Sequence, residues 1–356
     1  MTYYSYSSWG SCSYSKYSYS GWGSSSYSSG SSWSSWGSYS GGYCGSSWGS
    51  WGDKLWSWSK SYDWSKCSYS WGGSNEPVDP VDPVDPVDPV SQDDYITGTS
   101  AGEVLDGGDG NDTLKGGEGM DTLYGGNGDD LMVGGDDPDE AYGDFGADTL
   151  YGEQGNDTLN GGDNGDELYG GTGDDLVQGG TGDDYLEGNE DNDTLMGWDG
   201  NDTMDGGTGN DSLTGGTGND SMLGGDGDDT MDGQEDDDIL FGGWGNDDIG
   251  GGIGDDSLYG DEGDDTLNGG EGFDVLEGGE GNDTYVLAKD GGGDQIVGFE
   301  DGSDLFDLVD SGLTYEDLMI TTDDDGITHI SFDGEELANL DGVAAEDLTE
   351  DDFLFA

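Results

Sequence analysis

Residues 206–223 read GGTGNDSLTGGTGNDSML, in which one nine-residue phrase occurs twice with almost no change. The sequence from Gly107 to Val286 divides into 20 such nonapeptides without insertion or deletion, following G-G-x-G-x-D-x-U-x, where U is apolar. Position 1 is glycine and position 6 is aspartate in all 20 copies, and position 4 is glycine in 16. This period indicates an array of units that cannot fold alone and are stabilised by stacking on their neighbours.

The order of residue types within a nonapeptide predicts a turn followed by a short strand. Glycines at positions 1, 2 and 4 allow positive φ and close backbone approach, so the first six residues can turn tightly and direct carbonyl oxygens inward. The last three residues, such as Thr113-Leu114-Lys115, suit a short strand whose middle side chain faces one side. Two nonapeptides then form one coil, and ten coils stacked at about 4.8 Å form a rod about 48 Å long.

Stacking places the aspartates of alternate repeats close together, for example Asp112 beside Asp130 and Asp121 beside Asp139. At a separation of about 4.8 Å and an effective dielectric constant of about 20, each pair repels by roughly 3 kcal/mol. About eighteen such pairs would exceed a typical folding stability of about 5 to 15 kcal/mol. Carboxylate and carbonyl oxygens are the preferred ligands of calcium, whereas magnesium demands tighter octahedral geometry. The sequence therefore predicts that calcium binding and folding are one reaction.

The array resembles the RTX family of calcium-binding nonapeptide repeats over residues 98–286. The resemblance implies an all-β fold, a calcium-bound parallel β-roll in which odd repeats form one row of calcium turns and even repeats the other. It also implies many calcium ions, roughly one per repeat. The implied ligands are the position-6 aspartates and the backbone carbonyls of the position-1 glycines. The aspartates are Asp112, Asp121, Asp130, Asp139, Asp148, Asp157, Asp166, Asp175, Asp184, Asp193, Asp202, Asp211, Asp220, Asp229, Asp238, Asp247, Asp256, Asp265, Asp274 and Asp283. The glycines are Gly107, Gly116, Gly125, Gly134, Gly143, Gly152, Gly161, Gly170, Gly179, Gly188, Gly197, Gly206, Gly215, Gly224, Gly233, Gly242, Gly251, Gly260, Gly269 and Gly278.

Some repeats depart from the consensus. Residues 134–142 read GGDDPDEAY, with Asp137 in place of a glycine and Pro138 in place of Asn or Asp. Asp191 and Asp236 also take the glycine place at position 4, where a side chain tolerates positive φ less well. We expect weaker calcium binding, bulges or contacts to other chains at these turns. The nine residues before the array, GTSAGEVLD, resemble a degenerate extra copy.

The segment before the array has two different compositions. Residues 1–74 are nearly all Ser, Gly, Tyr and Trp, with 21 aromatic residues. A flexible leader, a segment for assembly or adhesion, and a binder of single-stranded nucleic acid all stay open, although the last lacks a basic groove. The three cysteines, Cys12, Cys44 and Cys67, fit no closed disulfide framework and no zinc spacing, which leaves free thiols or cross-links between chains. Residues 77–90, PVDPVDPVDPVDPV, predict a polyproline II spacer of about 43 Å.

Charge restricts the partners. The chain of 356 residues carries 83 acidic residues against 6 lysines, a net charge of -77, which repels nucleic acid and anionic membranes and attracts cations. The first residues, MTYYSYSSWG, lack a Sec-type signal, and no run of 18 apolar residues indicates a membrane span. The ending DLTEDDFLFA is similar to the uncleaved signals by which RTX proteins reach a type I secretion apparatus. This similarity implies a secreted protein, extracellular or at the cell surface.

After Val286 the glycine period stops, and DQIVGFE, LMITT and ITHISF predict strands, with a hairpin turn at Asp325-Gly326 between the last two. Stacked repeats need a cap over the final coil, which we expect here. The predicted organisation is a low-complexity segment over residues 1–74, a linker over 75–92, the β-roll over 93–286, and a cap with a secretion signal over 287–356.

The sequence predicts no enzyme. The only histidine is His329, which we expect to be structural, and the signature H-E-x-x-H is absent. The G-x-S-x-G matches at residues 45–49 and 98–102 lie in low-complexity and degenerate sequence, without the strand and helix of a nucleophile elbow. The predicted function is a secreted calcium-rigidified rod that assembles into, or anchors, an extracellular matrix, surface layer or filament through its aromatic segment. The alternatives are a surface-adhesion module with the rod as a stalk, and a simple extracellular calcium binder.

Overall fold

A computed structural model describes residues 2–6, 12–16, 92–289, 291–308 and 312–355. Near the N-terminus, β1 (Thr2–Tyr6) pairs antiparallel with β2 (Cys12–Lys16), with Tyr4 opposite Tyr14. No strand period is present in this part of the sequence, but tyrosine and threonine favour the extended backbone. The predicted polyproline II linker and the rest of the low-complexity segment, with Cys44 and Cys67, lie outside the described residues.

The remaining strands belong to the unit that contains the nonapeptides. They are β3 (Tyr95–Thr97), β4 (Val104–Asp109), β5 (Thr113–Glu118), β6 (Thr122–Asn127), β7 (Leu131–Asp136), β8 (Glu140–Phe145), β9 (Thr149–Gln154), β10 (Thr158–Asp163), β11 (Glu167–Thr172), β12 (Leu176–Thr181), β13 (Tyr185–Glu190), β14 (Thr194–Asp199), β15 (Thr203–Thr208), β16 (Ser212–Thr217), β17 (Ser221–Asp226), β18 (Thr230–Glu235), β19 (Ile239–Trp244), β20 (Asp248–Ile253), β21 (Ser257–Glu262), β22 (Thr266–Glu271), β23 (Val275–Glu280), β24 (Thr284–Val286), β25 (Asp294–Val297), β26 (Leu305–Asp307), β27 (Met319–Thr322), β28 (Ile327–Phe332), β29 (Glu335–Asp341) and β30 (Phe353–Leu354). Two 3₁₀ turns, Tyr315–Asp317 and Glu350–Asp352, interrupt them. Among the described residues, no helix has the length and apolarity needed to cross a membrane.

The chain alternates between two sheets. Odd-numbered strands from β3 to β25 lie side by side in a 15-stranded sheet, and even-numbered strands from β4 to β26 lie in a 13-stranded sheet. Each strand of the array pairs in parallel with the strand two further along, so successive turns stack into a solenoid of about twelve coils. The predicted parallel β-roll, with odd and even repeats in separate rows, is confirmed.

The strands are longer than the sequence predicts. Strands β4 to β23 each run for six residues, from position 7 of one unit to position 3 of the next, and β24 alone in the array has the three predicted. Stacking explains the extension, because the glycines of successive coils pair with each other, as Gly162 does with Gly180. The register passes from the pair Asn160–Gln178 directly to Gly162–Gly180, so it skips Gly161 at position 1. Position 1 is therefore the one point within the strand where the parallel ladder is interrupted.

The core is a single file of apolar side chains. Position 8 of every repeat points inward between the two sheets, and residues such as Leu114, Leu150 and Leu240 are fully buried. The small Ala141 keeps its place in the file and is also buried. Each nonapeptide thus buries one apolar side chain, worth about 2 kcal/mol, which is less than the entropy lost on ordering nine residues. Apolar packing alone does not hold this fold.

The glycines serve two different purposes. Position 2 of every repeat and position 4 of every repeat but the last have positive φ. The residues that replace glycine there share it, as Asp137 (80°), Asp191 (79°) and Trp198 (79°) show. The departures noted in the sequence therefore keep the turn geometry at some cost in strain, and they introduce no change of register. Position 1 does not have positive φ. A glycine is needed there because the aspartate of its own turn lies too close to leave room for a Cβ atom.

The C-terminal cap continues both sheets. The predicted strands appear as β25, β27 and β28, and β27 pairs antiparallel with β28 around the predicted turn. The sequence did not predict β26, β29 and β30, which are short or rich in charged residues. Phe306 and Phe353 pack over the last coil with ring centroids 5.2 Å apart, so the ending that resembles a secretion signal is part of the cap. His329 lies in β28, where its ring nitrogens contact Glu336 and, at 3.5 Å, Asp323.

We expect the substitution Leu213→Ala to lower the stability of the calcium-loaded protein by about 2 to 5 kcal/mol, because Leu213 is only 1% exposed and a cavity would interrupt the file of core side chains. Urea denaturation followed by circular dichroism, at saturating calcium, measures the loss. Ser212→Ala, at an exposed neighbouring position of the same strand, is the control and should change the midpoint little. Equal losses in the two variants would contradict the position of the core.

Candidate metal centre

The position-6 aspartates form two columns along the β-roll. The backbone amide of Asp112 donates to Asp130 Oδ1 at 2.7 Å, and the amide of Asp130 donates to Asp148 Oδ1 at 2.8 Å. The other row repeats the arrangement, with the amide of Asp121 bound to Asp139 Oδ1 at 2.7 Å. All twenty of these aspartates are only 1–3% exposed. The structure thus brings the predicted ligand side chains together in the predicted stacking order.

One oxygen of each aspartate has no partner. In all twenty, Oδ2 is buried and no hydrogen-bond donor of the described residues reaches it. A buried carboxylate oxygen without a donor or a cation costs several kcal/mol, and native proteins rarely leave one in that state. Twenty in regular columns therefore mark positions where a positively charged ligand completes the structure.

The surroundings of Oδ2 supply a second oxygen. A Cβ atom built on Gly107 would lie 2.4 Å from Asp112 Oδ2 and 2.7 Å from the carbonyl oxygen of Gly125 in the next coil. The same pair of oxygens occurs in 16 of the 20 turns, with distances of 2.2–2.5 Å to the carboxylate and 2.3–2.9 Å to the carbonyl. At Gly134, in the repeat with Pro138, the carbonyl of the next coil lies farther away than the carboxyl group. Position 1 must be glycine because any side chain would displace these oxygens.

The donor set fits calcium. Within the described residues, no three His, Cys, Asp or Glu side chains form a metal-binding group by themselves. The oxygens that converge are one carboxylate and one carbonyl from adjacent coils, and both are hard ligands. Calcium takes six to eight such oxygens at about 2.3 to 2.6 Å, including backbone carbonyls. The turns therefore offer the chemistry that calcium requires, with the position-6 aspartates and the position-1 glycines as the candidate ligands.

Burial changes the acidity of the column. It raises the pKa of Asp130 and Asp157 from the ordinary value of 3.8 to about 7, and that of Asp166 and Asp193 to about 8. Neighbouring carboxylates of the same column act in the same direction, while the hydrogen bond from the preceding amide opposes them. Burial is thus the larger cause of these raised pKa values, and the charge repulsion that the sequence predicts is a smaller contribution in the same direction.

A second ladder, at position 5, was missed by the sequence analysis. The side chain there accepts from the amide of the residue 18 further on, as Asn192 does from Asn210 at 2.9 Å and Asn201 from Asn219 at 3.0 Å. It runs in the opposite direction to the position-6 ladder. The signal is present in the sequence, because position 5 is Asn or Asp in 15 of the 20 repeats. Its carboxylates stay exposed, and the donors of Asn201 lower the pKa of Asp183.

These features define a class of protein, a parallel β-roll whose turns bind cations. A family model described as the RTX calcium-binding nonapeptide repeat (4 copies) matches residues 97–132, 106–141, 133–168, 169–204, 205–240, 223–258 and 259–289. The matches together cover more than half of the chain, which therefore belongs to the RTX calcium-binding nonapeptide repeat family. The resemblance inferred from the sequence is confirmed.

Two solved structures are similar to parts of this chain. The AlgE6R3 subunit of the mannuronan C5-epimerase from Azotobacter vinelandii is 35% identical over 35% of this chain and 81% of its own, with a TM-score of 0.30. The extracellular lipase LipA from Serratia marcescens is 20% identical over 67% of this chain, with a TM-score of 0.24. This chain spans 40% of the length of the lipase. A search of curated proteins gave no match.

We expect the calcium-free protein to gain β-structure when the pH is lowered from 8 to 5.5. The folded aspartates bind protons more tightly than unfolded ones, with pKa values of about 7 for Asp130 and about 8 for Asp166 against 3.8. Their stabilising contribution is therefore complete below the unfolded pKa and is lost as the pH rises through the folded values. Circular dichroism of chelator-treated protein measures the change.

With calcium present the dependence should reverse, because the ligands must lose their protons before they bind. The calcium concentration at half-folding should then fall as the pH rises. If the calcium-free protein had more β-structure at pH 8 than at pH 5.5, protonation of the aspartate columns would not be what stabilises its folded state.

We expect Gly215→Ala to weaken calcium-dependent folding by about 1 to 3 kcal/mol, the usual cost of overpacking. The new methyl group would lie 2.2 Å from Asp220 Oδ2 and 2.8 Å from the carbonyl oxygen of Gly233. Gly250→Ala is the matched control, because its Cβ would meet nothing closer than 3.7 Å. The calcium concentration at half-folding should rise for the first variant only, and a rise of equal size in both would contradict the close approach at position 1.

Proposed function

We propose that the protein is a secreted calcium-binding structural protein whose β-roll becomes a rigid rod when its turns are loaded with calcium. The observation that carries this proposal is the set of twenty buried, unpartnered Oδ2 atoms. In the proposed ligand set, each position-6 aspartate and the position-1 glycine carbonyls bind roughly one calcium ion per repeat. About twenty calcium ions reduce the net charge from -77 to about -37, which weakens the repulsion along the rod.

Assembly through the N-terminal segment is the second part of the proposal. The organisation proposed is a low-complexity segment (1–74), a linker (75–92), the β-roll (93–286) and a cap with a secretion signal (287–356). Residues 1–74 hold four of the six lysines and only two acidic residues, whereas the β-roll is strongly acidic. The opposite charge and the aromatic composition of this segment favour contacts between the segment of one chain and the surface of another. The product is an extracellular matrix, surface layer or filament.

Export fits the calcium requirement. A chain whose turns repel one another without calcium stays unfolded where calcium is scarce and folds where it is plentiful. The type I secretion apparatus is therefore the proposed export partner, with the C-terminal cap as its signal. No catalytic role is proposed, since the one histidine, His329, is held between Glu336 and Asp323 in the cap.

A surface-adhesion module is the second candidate. Aromatic side chains stack on the outside of the sheet of odd-numbered strands, with ring centroids of Tyr151 and Tyr169 4.8 Å apart and those of Phe241 and Tyr259 4.7 Å apart. Exposed Trp244 lies on the same sheet. Such rings offer apolar and π contacts to an external surface. In this role the rod contributes to binding, in addition to acting as a stalk.

A calcium titration of the full-length protein and of a variant lacking residues 1–74 tests the proposal. Circular dichroism and light scattering are recorded together. We expect both proteins to gain β-structure with calcium, and only the full-length protein to form large particles. Growth of both would assign assembly to the rod, growth of neither would favour adhesion or simple calcium binding, and no gain in β-structure would refute the calcium-folded rod.

A further inference from the structure

The two columns of aspartates continue beyond the last nonapeptides. The amide of Asp274 donates to Asp294 Oδ1 at 3.3 Å, and the amide of Asp283 donates to Asp304 Oδ1 at 3.1 Å. Within the array every such bond joins residues 18 apart, whereas these two bonds join residues 20 and 21 apart. Asp294 and Asp304 are only 3% and 2% exposed. Two residues outside the repeat frame therefore occupy the place of position 6.

The segment around Asp294 rebuilds most of a nonapeptide. The amide of Gly272 donates to the carbonyl of Gly291 at 3.0 Å, and the amide of Gln295 donates to the carbonyl of Asp274 at 2.7 Å. Bonds of the same two kinds join successive coils throughout the array. Ile296 is buried at the end of the file of core residues. Residues 291–297 thus reproduce positions 3 to 9, and two extra residues before them break the sequence frame.

The two columns end differently. Asp304 Oδ1 is bound by the amide of Asp283, and Asp304 Oδ2 accepts from the amide of Glu300 at 2.8 Å, so both oxygens have donors. Asp294 Oδ1 instead accepts one bond, from the amide of Asp274 at 3.3 Å, next to the buried carboxyl group of Asp274. Two buried carboxyl groups side by side need either a proton on one of them or a bound cation.

Asp274 supplies an independent sign of a ligand. Its Oδ2 is buried without a partner, and a Cβ built on Gly269 would lie 2.1 Å from it, as in the other turns. In most turns the next oxygen comes from the position-1 glycine of the following nonapeptide of the same row, but no nonapeptide follows Asp274 in its row. The nonapeptides alone therefore leave the last site of this row incomplete.

We infer that Asp294 completes a calcium site at the junction of the β-roll and the cap, with Asp274 as its partner. The inference rests on the ligand assignment proposed above. Asp294 lies beyond residue 289, where the family match ends. Because β25 begins at Asp294, calcium at this site fixes the first strand of the cap to the final coil of its row. The other row ends at Asp304, whose two oxygens already accept from the amides of Asp283 and Glu300.

Native mass spectrometry of the full-length protein with saturating calcium tests the inference through three variants. Asp294→Asn keeps the oxygen that accepts from the Asp274 amide and removes the charge, so we expect one calcium ion fewer than in the unchanged protein. Asp304→Asn is the matched control at the end of the other row, and it should bind the full number. Asp256→Asn, within the array, tests the ligand assignment itself and should also lose calcium.

The outcomes separate the two claims. A full calcium count in Asp294→Asn, with a loss in Asp256→Asn, would overturn the junction site alone and indicate a proton shared by Asp274 and Asp294. Equal losses in Asp294→Asn and Asp304→Asn would also overturn it, because they would report a loosened cap. If Asp256→Asn loses no calcium, the ligand assignment fails.

Hydrogen exchange covers the case in which Asp294→Asn disturbs folding. The inference requires residues 294–308 to exchange faster in Asp294→Asn while the middle of the array stays protected. Asp294→Glu, which restores a carboxylate, should recover both the calcium count and the protection. Failure of Asp294→Glu to recover either would count against a calcium site.

Discussion

Among the residues that the structure describes, twenty buried carboxylate oxygens have no hydrogen-bond donor, and folding depends on how they are neutralised. Each belongs to an aspartate whose other oxygen is fixed by the amide of the preceding coil, so the side chain cannot turn away to water. The coils can stack only if these oxygens gain a proton or a cation. Folding therefore depends on the pH and on the cations in solution. The row of apolar side chains, one per nonapeptide, stabilises the fold too little to overcome the electrostatic cost.

Most of the fold follows from the sequence because the repeat is gap-free. An unbroken frame fixes which residues stack, so the position-6 columns and the position-8 core were predictable residue by residue. The strand length was not, because glycine pairs have low strand propensity and become extended only when stacked coils supply hydrogen bonds. The position-5 ladder was overlooked for a different reason. Its Asn and Asp residues look like ordinary turn residues until neighbouring coils bring them into register.

The end of the array shows where sequence periodicity stops being informative. Asp294 and Asp304 occupy the same place as the array aspartates, but insertions of two and three residues remove them from the nine-residue frame. The inserted residues fall in the turn, where length can vary, while the strand that follows keeps its pairing with the array. A search for the nine-residue period therefore does not find these coils, whereas the hydrogen bonds between coils identify them.

Glycine at position 1 is needed both for the stacking of the coils and for the candidate metal site. The parallel ladder skips this residue, and the space that its missing Cβ leaves is bordered by the carboxylate of its own turn and the carbonyl of the next coil. Replacing this glycine affects the stacking and the candidate ligands at once, whereas the glycines of positions 2 and 4 are replaced by Asp, Asn, Gln, Glu or Trp with their positive φ retained. The absolute repetition of glycine at position 1 and aspartate at position 6 thus has one physical cause. The two residues border the same small space, so a change at either one disturbs the candidate metal site that both of them form.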